Sequence, residues 1–183
     1  MDCIVCKQKK CKTANSCGAE KYDYEELISE YSKPTNQKIV QSAAELVDNG
    51  KAGTLSRLQE ISEFISSMKY NKIGLAYCYG MEKEAKLIKE YFDDKDIKLS
   101  NVTCSIGGVS QSKINESCSI YNVSCNPIGQ ALQLNSEGVD LTLIMGICLG
   151  HDILLQRNLK SDFTTITVKD RVFKNNPLQA VLN

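Results

Sequence analysis

Hydrophobic positions follow two different periods along this chain. Between Tyr24 and Lys69 they recur at helical spacing and predict three helices: Tyr24 to Tyr31, Gln37 to Asn49 and Leu55 to Met68. In the third, Leu58, Ile61, Ile65 and Met68 make one packing face. Turn signals separate the three: Pro34 lies within Lys33 to Asn36, Asn49-Gly50 closes the second helix, and Thr54 offers a cap to the third. Beyond Lys69 short apolar runs alternate with amphipathic ones. The expected order is strand Lys72 to Cys78, helix Met81 to Phe92, strand Lys98 to Cys104, a loop, helix Pro127 to Asn135, strand Asp140 to Cys148, helix Asp152 to Leu159 and strand Phe163 to Lys169. Strands that alternate with helices imply a parallel sheet joined by right-handed crossovers. The fold class is therefore α/β, a Rossmann-like or flavodoxin-like parallel sheet of about four strands with flanking helices.

Residues 1–22 break this pattern. The stretch "CIVCKQKKCKTANSC" is short of aliphatic residues and carries Cys3, Cys6, Cys11 and Cys17 as C-x2-C-x4-C-x5-C. It cannot build a hydrophobic core, so order there needs another source, and a four-thiolate metal site would supply it. The expected organisation is a cysteine-rich metal-binding segment, 1–22, followed by an α/β domain with an N-terminal helical region, 23–183.

Three of the four expected strands, "KIGLAYC", "KLSNVTC" and "DLTLIMGIC", finish on cysteine: Cys78, Cys104 and Cys148. In a parallel sheet these lie along the carboxyl edge, where ligands bind in open α/β folds. Cys125 enters from the same side, because Asn126 is a candidate N-cap and Pro127 a candidate first helical residue. Cys78, Cys125 and Cys148 all precede helices, whose exposed amides favour thiolates. Four thiolates satisfy zinc and iron-sulfur clusters alike. Other groups reach this edge as well. His151 is the only histidine and follows Cys148 by three residues, a place for a proton donor or base, with Asp152 read as a helix cap. Gly107 and Gly108 permit close backbone approach to a ligand or a plain turn. The last strand delivers Lys169, Asp170 and Arg171, of which Arg171 is suited to hold a carboxylate or phosphate, or to balance a thiolate centre. Cys118, in a polar loop, has no assignment.

Composition narrows the classes. The 22 basic and 22 acidic side chains cancel, so no global field favours nucleic acid or an anionic membrane. The N-terminal segment carries about three net positive charges, which ionised thiols largely cancel; a nucleic-acid finger is not expected. No apolar run approaches the roughly 20 residues of a membrane span, and "MDCIVCKQKK" lacks the centre of a signal peptide, so a cytoplasmic setting is expected. There nine cysteines point to metal or thiol chemistry rather than a disulfide framework. The chain has no G-x-G-x-x-G or P-loop pattern, so a standard nucleotide site is not supported.

The elements "IGLAYCYGMEKEA", "CSIGG", "CNPIGQALQLN", "DLTLIMGICLGHD", "VKDRV" and "NNP" together resemble an uncharacterised family of cysteine-rich, predicted metal-binding proteins of anaerobic prokaryotes, a domain of unknown function. The resemblance runs from about Ala43 to the C-terminus. It implies that Cys78, Cys104, Cys125, Cys148, His151 and the N-terminal cysteines stand at motif positions, and it supplies no activity. This chain departs from the family pattern at Ser105, where a basic residue is usual, at Asn175, where a histidine is usual, and in a tighter spacing to Cys17.

The leading functional expectation is a metal-binding protein with an N-terminal four-cysteine site and a second site, zinc or an iron-sulfur cluster, at the sheet edge. Redox or sulfur-transfer chemistry on a small molecule would follow. The alternatives are a non-catalytic zinc-braced binding or metal-handling module, and a metal-free thiol enzyme with Cys148 as nucleophile and His151 as base.

Overall fold

The computed structural model describes residues 2–13, 15–48, 50–120 and 122–182. Its backbone divides into two compact units, 1–45 and 46–183, so the first two helices fall with the cysteine-rich segment.

In the first unit a single 3-10 turn, Lys10–Thr13, interrupts an irregular segment with no buried residue in that turn. The Lys9 ammonium folds it back by donating to the Cys3 carbonyl at 2.7 Å. Helix α1, Tyr24–Ser32, begins where the Asp23 carboxylate accepts the Glu25 and Glu26 amides. Helix α2 spans Pro34–Glu45. Pro34, expected in a turn, is instead the first helical residue, where its fixed φ and missing N–H carry no penalty. The helix stops at Glu45, earlier than expected, and Asn49 of the Asn49-Gly50 signal lies outside the described residues.

The second unit contains α3 (Arg57–Met68), β1 (Ile73–Tyr77), α4 (Glu82–Asp93), β2 (Leu99–Thr103), α5 (Gln111–Ile114), α6 (Pro127–Glu137), β3 (Leu141–Met145), α7 (His151–Asn158), β4 (Asp162–Thr167) and α8 (Gln179–Leu182). Ser56 rather than Thr54 caps α3, in a reciprocal capping box with Gln59. The strands form one all-parallel sheet in the order β2-β1-β3-β4. The order reverses between β1 and β3, which makes the gap between their carboxyl ends the switch point of a doubly wound sheet.

Strand periodicity sorts the core into two layers. Ile73, Leu75, Leu141, Leu143 and Met145 pack with Ile61 and Ile65 of α3 and Ala85 and Phe92 of α4. Ala76, Cys78, Val102, Cys104 and Ile144 pack with Ala131 and Leu134 of α6 and Leu155 of α7. Cys78 and Cys104 therefore face the α6 and α7 layer.

One expected strand end moves. The third strand stops at Met145, not Cys148, because Gly146 has φ +61 and turns the chain out of the sheet. A Cβ at Gly146 would overlap the Met81 sulfur, so glycine is required there on two counts. Cys148 thus lies in the loop beyond the strand, two residues before α7 begins to turn at Gly150.

Candidate thiol site

Cys78 and Cys104 follow the last residues of β1 and β2 and stay on the hydrogen-bond ladder. The Cys78 amide donates to the Met145 carbonyl at 3.2 Å, and the Cys104 amide to the Tyr77 carbonyl at 3.0 Å. Their backbone positions are consequently fixed by the sheet itself. Both side chains are buried.

Cys125 arrives by a different route. The chain leaves the sheet after Cys104, makes the 3-10 turn Ile106–Gly108, runs through α5 and returns. Gly107 and Gly108 both have positive φ in that turn, so the turn itself uses their freedom. The excursion is closed by the Ser124 amide on the Val109 carbonyl at 2.8 Å and the Asn126 amide on the Cys104 carbonyl at 2.6 Å. Asn126 caps α6 as expected, accepting the Gly129 amide at 2.9 Å and donating to the Ile106 carbonyl at 3.2 Å. Its amide group is thereby occupied in holding the loop. The result is that Cys125 Sγ stands 3.6 Å from Cys104 Sγ.

The Cys104 thiol is pushed up to about 12, chiefly by burial. The Tyr79 amide, donating to its sulfur at 3.4 Å, opposes that rise, while Cys125 and Cys78 reinforce it. Such a thiol is neutral near pH 7 unless a cation replaces its proton.

Arg171 supplies the cationic side of the site. After β4 the Asp170 carboxylate accepts the Val172 and Phe173 amides, each at 2.9 Å, and Asn175 closes the turn by accepting the Asp170 amide at 3.1 Å. This turn presents Arg171 Nη2 to Cys148 Sγ at 3.1 Å. Cys78 and Cys125 also lie within electrostatic reach of the guanidinium. Three of the four cysteines expected at this edge make two direct contacts, Cys104 with Cys125 and Cys148 with Arg171, while Cys78 lies within electrostatic reach of Cys104 and Arg171.

The remaining expected residues are placed as follows. His151 is the first residue of α7, and its backbone amide donates to the Cys148 carbonyl at 3.0 Å; the partner of the Cys148 sulfur is Arg171. Cys118 accepts the Ile120 amide within the polar loop. Cys3, Cys11 and Cys17 are exposed and Cys6 is half-buried. Among the described residues, no group of three or more His, Cys, Asp and Glu side chains is set to hold an ion. The Cys104 and Cys125 pair has ligand spacing, since two sulfurs bound at roughly 2.3 Å to one tetrahedral ion stand about 3.8 Å apart.

The sequence reading missed Gln130. This fully buried side chain of α6 donates through Nε2 to the Val102 carbonyl at 2.8 Å and the Tyr77 carbonyl at 3.2 Å. It ties α6 to the ends of β1 and β2 just before Cys78 and Cys104. A glutamine inside the apolar face of "NPIGQALQL" was the available signal.

A sequence profile of a family described as protein of unknown function (DUF1847) matches residues 14–166. The uncharacterized protein MJ0455 of Methanocaldococcus jannaschii is 39% identical over 186 residues, spanning 99% of this chain and 93% of that protein. No solved structure matches. Among the described residues no helix is long and apolar enough to cross a membrane.

Proposed function

The chain belongs to the DUF1847 family, and from that premise we propose that it is a metal-binding protein whose working site is the four-thiol carboxyl edge of the sheet. The observation that carries this reading is the Cys104 and Cys125 sulfur pair, 3.6 Å apart at the mouth of the sheet. Two buried or half-buried thiols at ligand spacing favour a soft ion, and thiolate ligands suit zinc or an iron-sulfur cluster. Cys78 and Cys148 would complete the set by turning their side chains toward that pair. Bound there, zinc would supply Lewis acidity and a cluster electron transfer. Arg171 offsets negative charge on the thiolates and leaves a cationic face toward a small anionic ligand. In the first unit Cys3, Cys6, Cys11 and Cys17 form a second candidate set, in a segment without an apolar core to order it.

The test is anaerobic purification with metal and sulfide determination on the wild type, on Cys104→Ser with Cys125→Ser, and on a chain with the four N-terminal cysteines replaced. Metal lost in the first variant and kept in the second supports the edge site. Metal unchanged in the first and absent from the second overturns it.

The Cys148 and Arg171 contact favours a second reading, a metal-free nucleophile. Arg171 Nη2 stands 3.1 Å from the sulfur of this half-buried cysteine, a cationic donor beside a candidate nucleophile. It predicts one fast-alkylating thiol at neutral pH, located at Cys148 and slowed by Arg171→Ala; equal, slow labelling of every thiol in residues 46–183 rules it out.

A further inference from the structure

We propose that Cys104 and Cys125 are a reversible dithiol and disulfide couple, with Cys125 the entry thiol and Cys104 the resolving thiol. Three observations carry this. The sulfurs are already in contact at 3.6 Å. Their backbones are joined by the Asn126 amide on the Cys104 carbonyl, and the loop between them is closed by the Ser124 amide on the Val109 carbonyl. Their exposure is unequal: Cys104 is 3% exposed and Cys125 is half-buried, so a reagent in solution meets Cys125 first.

The oxidant is a low-molecular-weight disulfide, R–S–S–R. Cys125 loses its proton to solvent, its sulfur attacks one sulfur of the reagent, the reagent's S–S bond breaks, and one R–S⁻ leaves. Cys104 then attacks the Cys125 sulfur of the mixed disulfide as a thiolate, its proton also passing to solvent. The Cys104–Cys125 bond forms, and the second R–S⁻ is expelled. Two protein thiols have lost two electrons, and the reagent has gained them as two R–SH after taking up the two protons. The Tyr79 amide, already donating to Cys104 Sγ, faces the charge that the resolving sulfur carries. Pairing is selective because the sulfur that Cys148 would offer is instead held by Arg171.

This couple goes beyond the metal reading and does not depend on it. Its consequence for metal does rest on that reading: a disulfide removes two of the four ligands, so oxidation and metal occupancy exclude each other.

The experiment uses the full chain, reduced and chelator-treated, equilibrated anaerobically in graded mixtures of reduced and oxidised glutathione, alkylated and mapped by tandem mass spectrometry. The expected result in residues 46–183 is one internal disulfide, Cys104 to Cys125, with Cys104→Ser accumulating a glutathione adduct at Cys125 instead. Linkage of Cys125 to Cys118, Cys78 or Cys148, or a wild type that ends as the Cys125 adduct without internal closure, overturns the proposal. Zinc titrated into the same reduced sample separates the two ideas. Closure with no zinc bound that depends on Cys104 and Cys125 leaves the couple standing and removes the zinc reading of the edge, whereas zinc binding that is lost in Cys104→Ser with Cys125→Ser, without closure in the wild type, does the reverse.

Discussion

Arg171 Nη2 meets Cys148 Sγ at 3.1 Å, across loops that leave the neighbouring strands β3 and β4. The guanidinium is held there by a turn in which Asp170 and Asn175 satisfy backbone amides, so its placement is built into the loop. In the metal site proposed above, a charge held at that distance would act on the ion through its sulfur ligands. Arg171→Ala is expected to weaken zinc binding at the sheet edge by about ten- to a hundred-fold. Arg171→Lys should recover part of it, since an ammonium keeps the charge and loses the planar fork. Competition against a chromophoric chelator measures both, and an unchanged affinity in the alanine variant would show that Arg171 does not balance this centre.

Gly146 and Met81 form the second constraint on the edge. Gly146→Ala places a Cβ on the Met81 sulfur and puts alanine at φ +61. The left-handed backbone costs about 1 kcal/mol and the crowding about 1–3 kcal/mol more. Shortening Met81 removes only the second contribution. In a double-mutant cycle by urea denaturation, Gly146→Ala with Met81→Ala should therefore be less destabilised than the sum of the single variants. Additivity would mean that the methionine already has room to move.

Gln130→Leu keeps the bulk of the side chain and removes the donors that serve the Val102 and Tyr77 carbonyls. Tyr77 O still accepts the Cys104 amide, and Val102 O lies on the parallel ladder between β1 and β2, so neither carbonyl is orphaned. Losing two side-chain hydrogen bonds costs roughly 1–3 kcal/mol, and that loss is expected in thermal or urea unfolding. The glutamine's own buried Oε1 has no partner among the described residues, which offsets part of the cost. A stabilised leucine variant would show that the orphan oxygen outweighs the two bonds.

The strands were legible because β1 and β3 are short continuous apolar runs buried on both faces, and Cys78 and Cys104 followed from the ends of β1 and β2. Cys148 was displaced because Gly74 and Gly146 look alike in sequence: one sits inside a strand, the other turns the chain out of it. That distinction depends on Met81, which comes from the 3-10 turn at the start of α4, far away in sequence. The placement of Cys78 and Cys104 at the carboxyl ends of β1 and β2 was readable as a topological consequence. The sulfur contact between Cys104 and Cys125 was not, since a long loop intervenes and only the Asn126 and Ser124 amides bring its ends together. Likewise Arg171 could be placed at the edge, but its pairing with Cys148 comes from the turn that Asp170 and Asn175 build.

The opposite edge of the sheet carries the pH dependence. Asp140, just before β3, accepts the Asn71 amide at 2.8 Å and the Lys72 amide at 2.9 Å, joining the starts of β1 and β3. The Lys72 amide and then the Asn71 amide hold its carboxyl below the ordinary carboxylate range. A group whose folded pKa is depressed contributes stability above its unfolded pKa and loses it as pH falls through the folded value. For an aspartate that window opens near pH 4, about the unfolded value, and extends downward. Asp140→Asn retains an acceptor oxygen and removes the charge. After discounting for solvent screening at a half-exposed site, it should cost roughly 1 kcal/mol at pH 7. Urea denaturation at pH 7, 5 and 3 is expected to show a constant gap between wild type and variant from pH 7 to 5, and a smaller one at pH 3. A gap that stays the same at pH 3 would mean that the two amides recognise the oxygen and not its charge, and that acid sensitivity in this fold arises elsewhere.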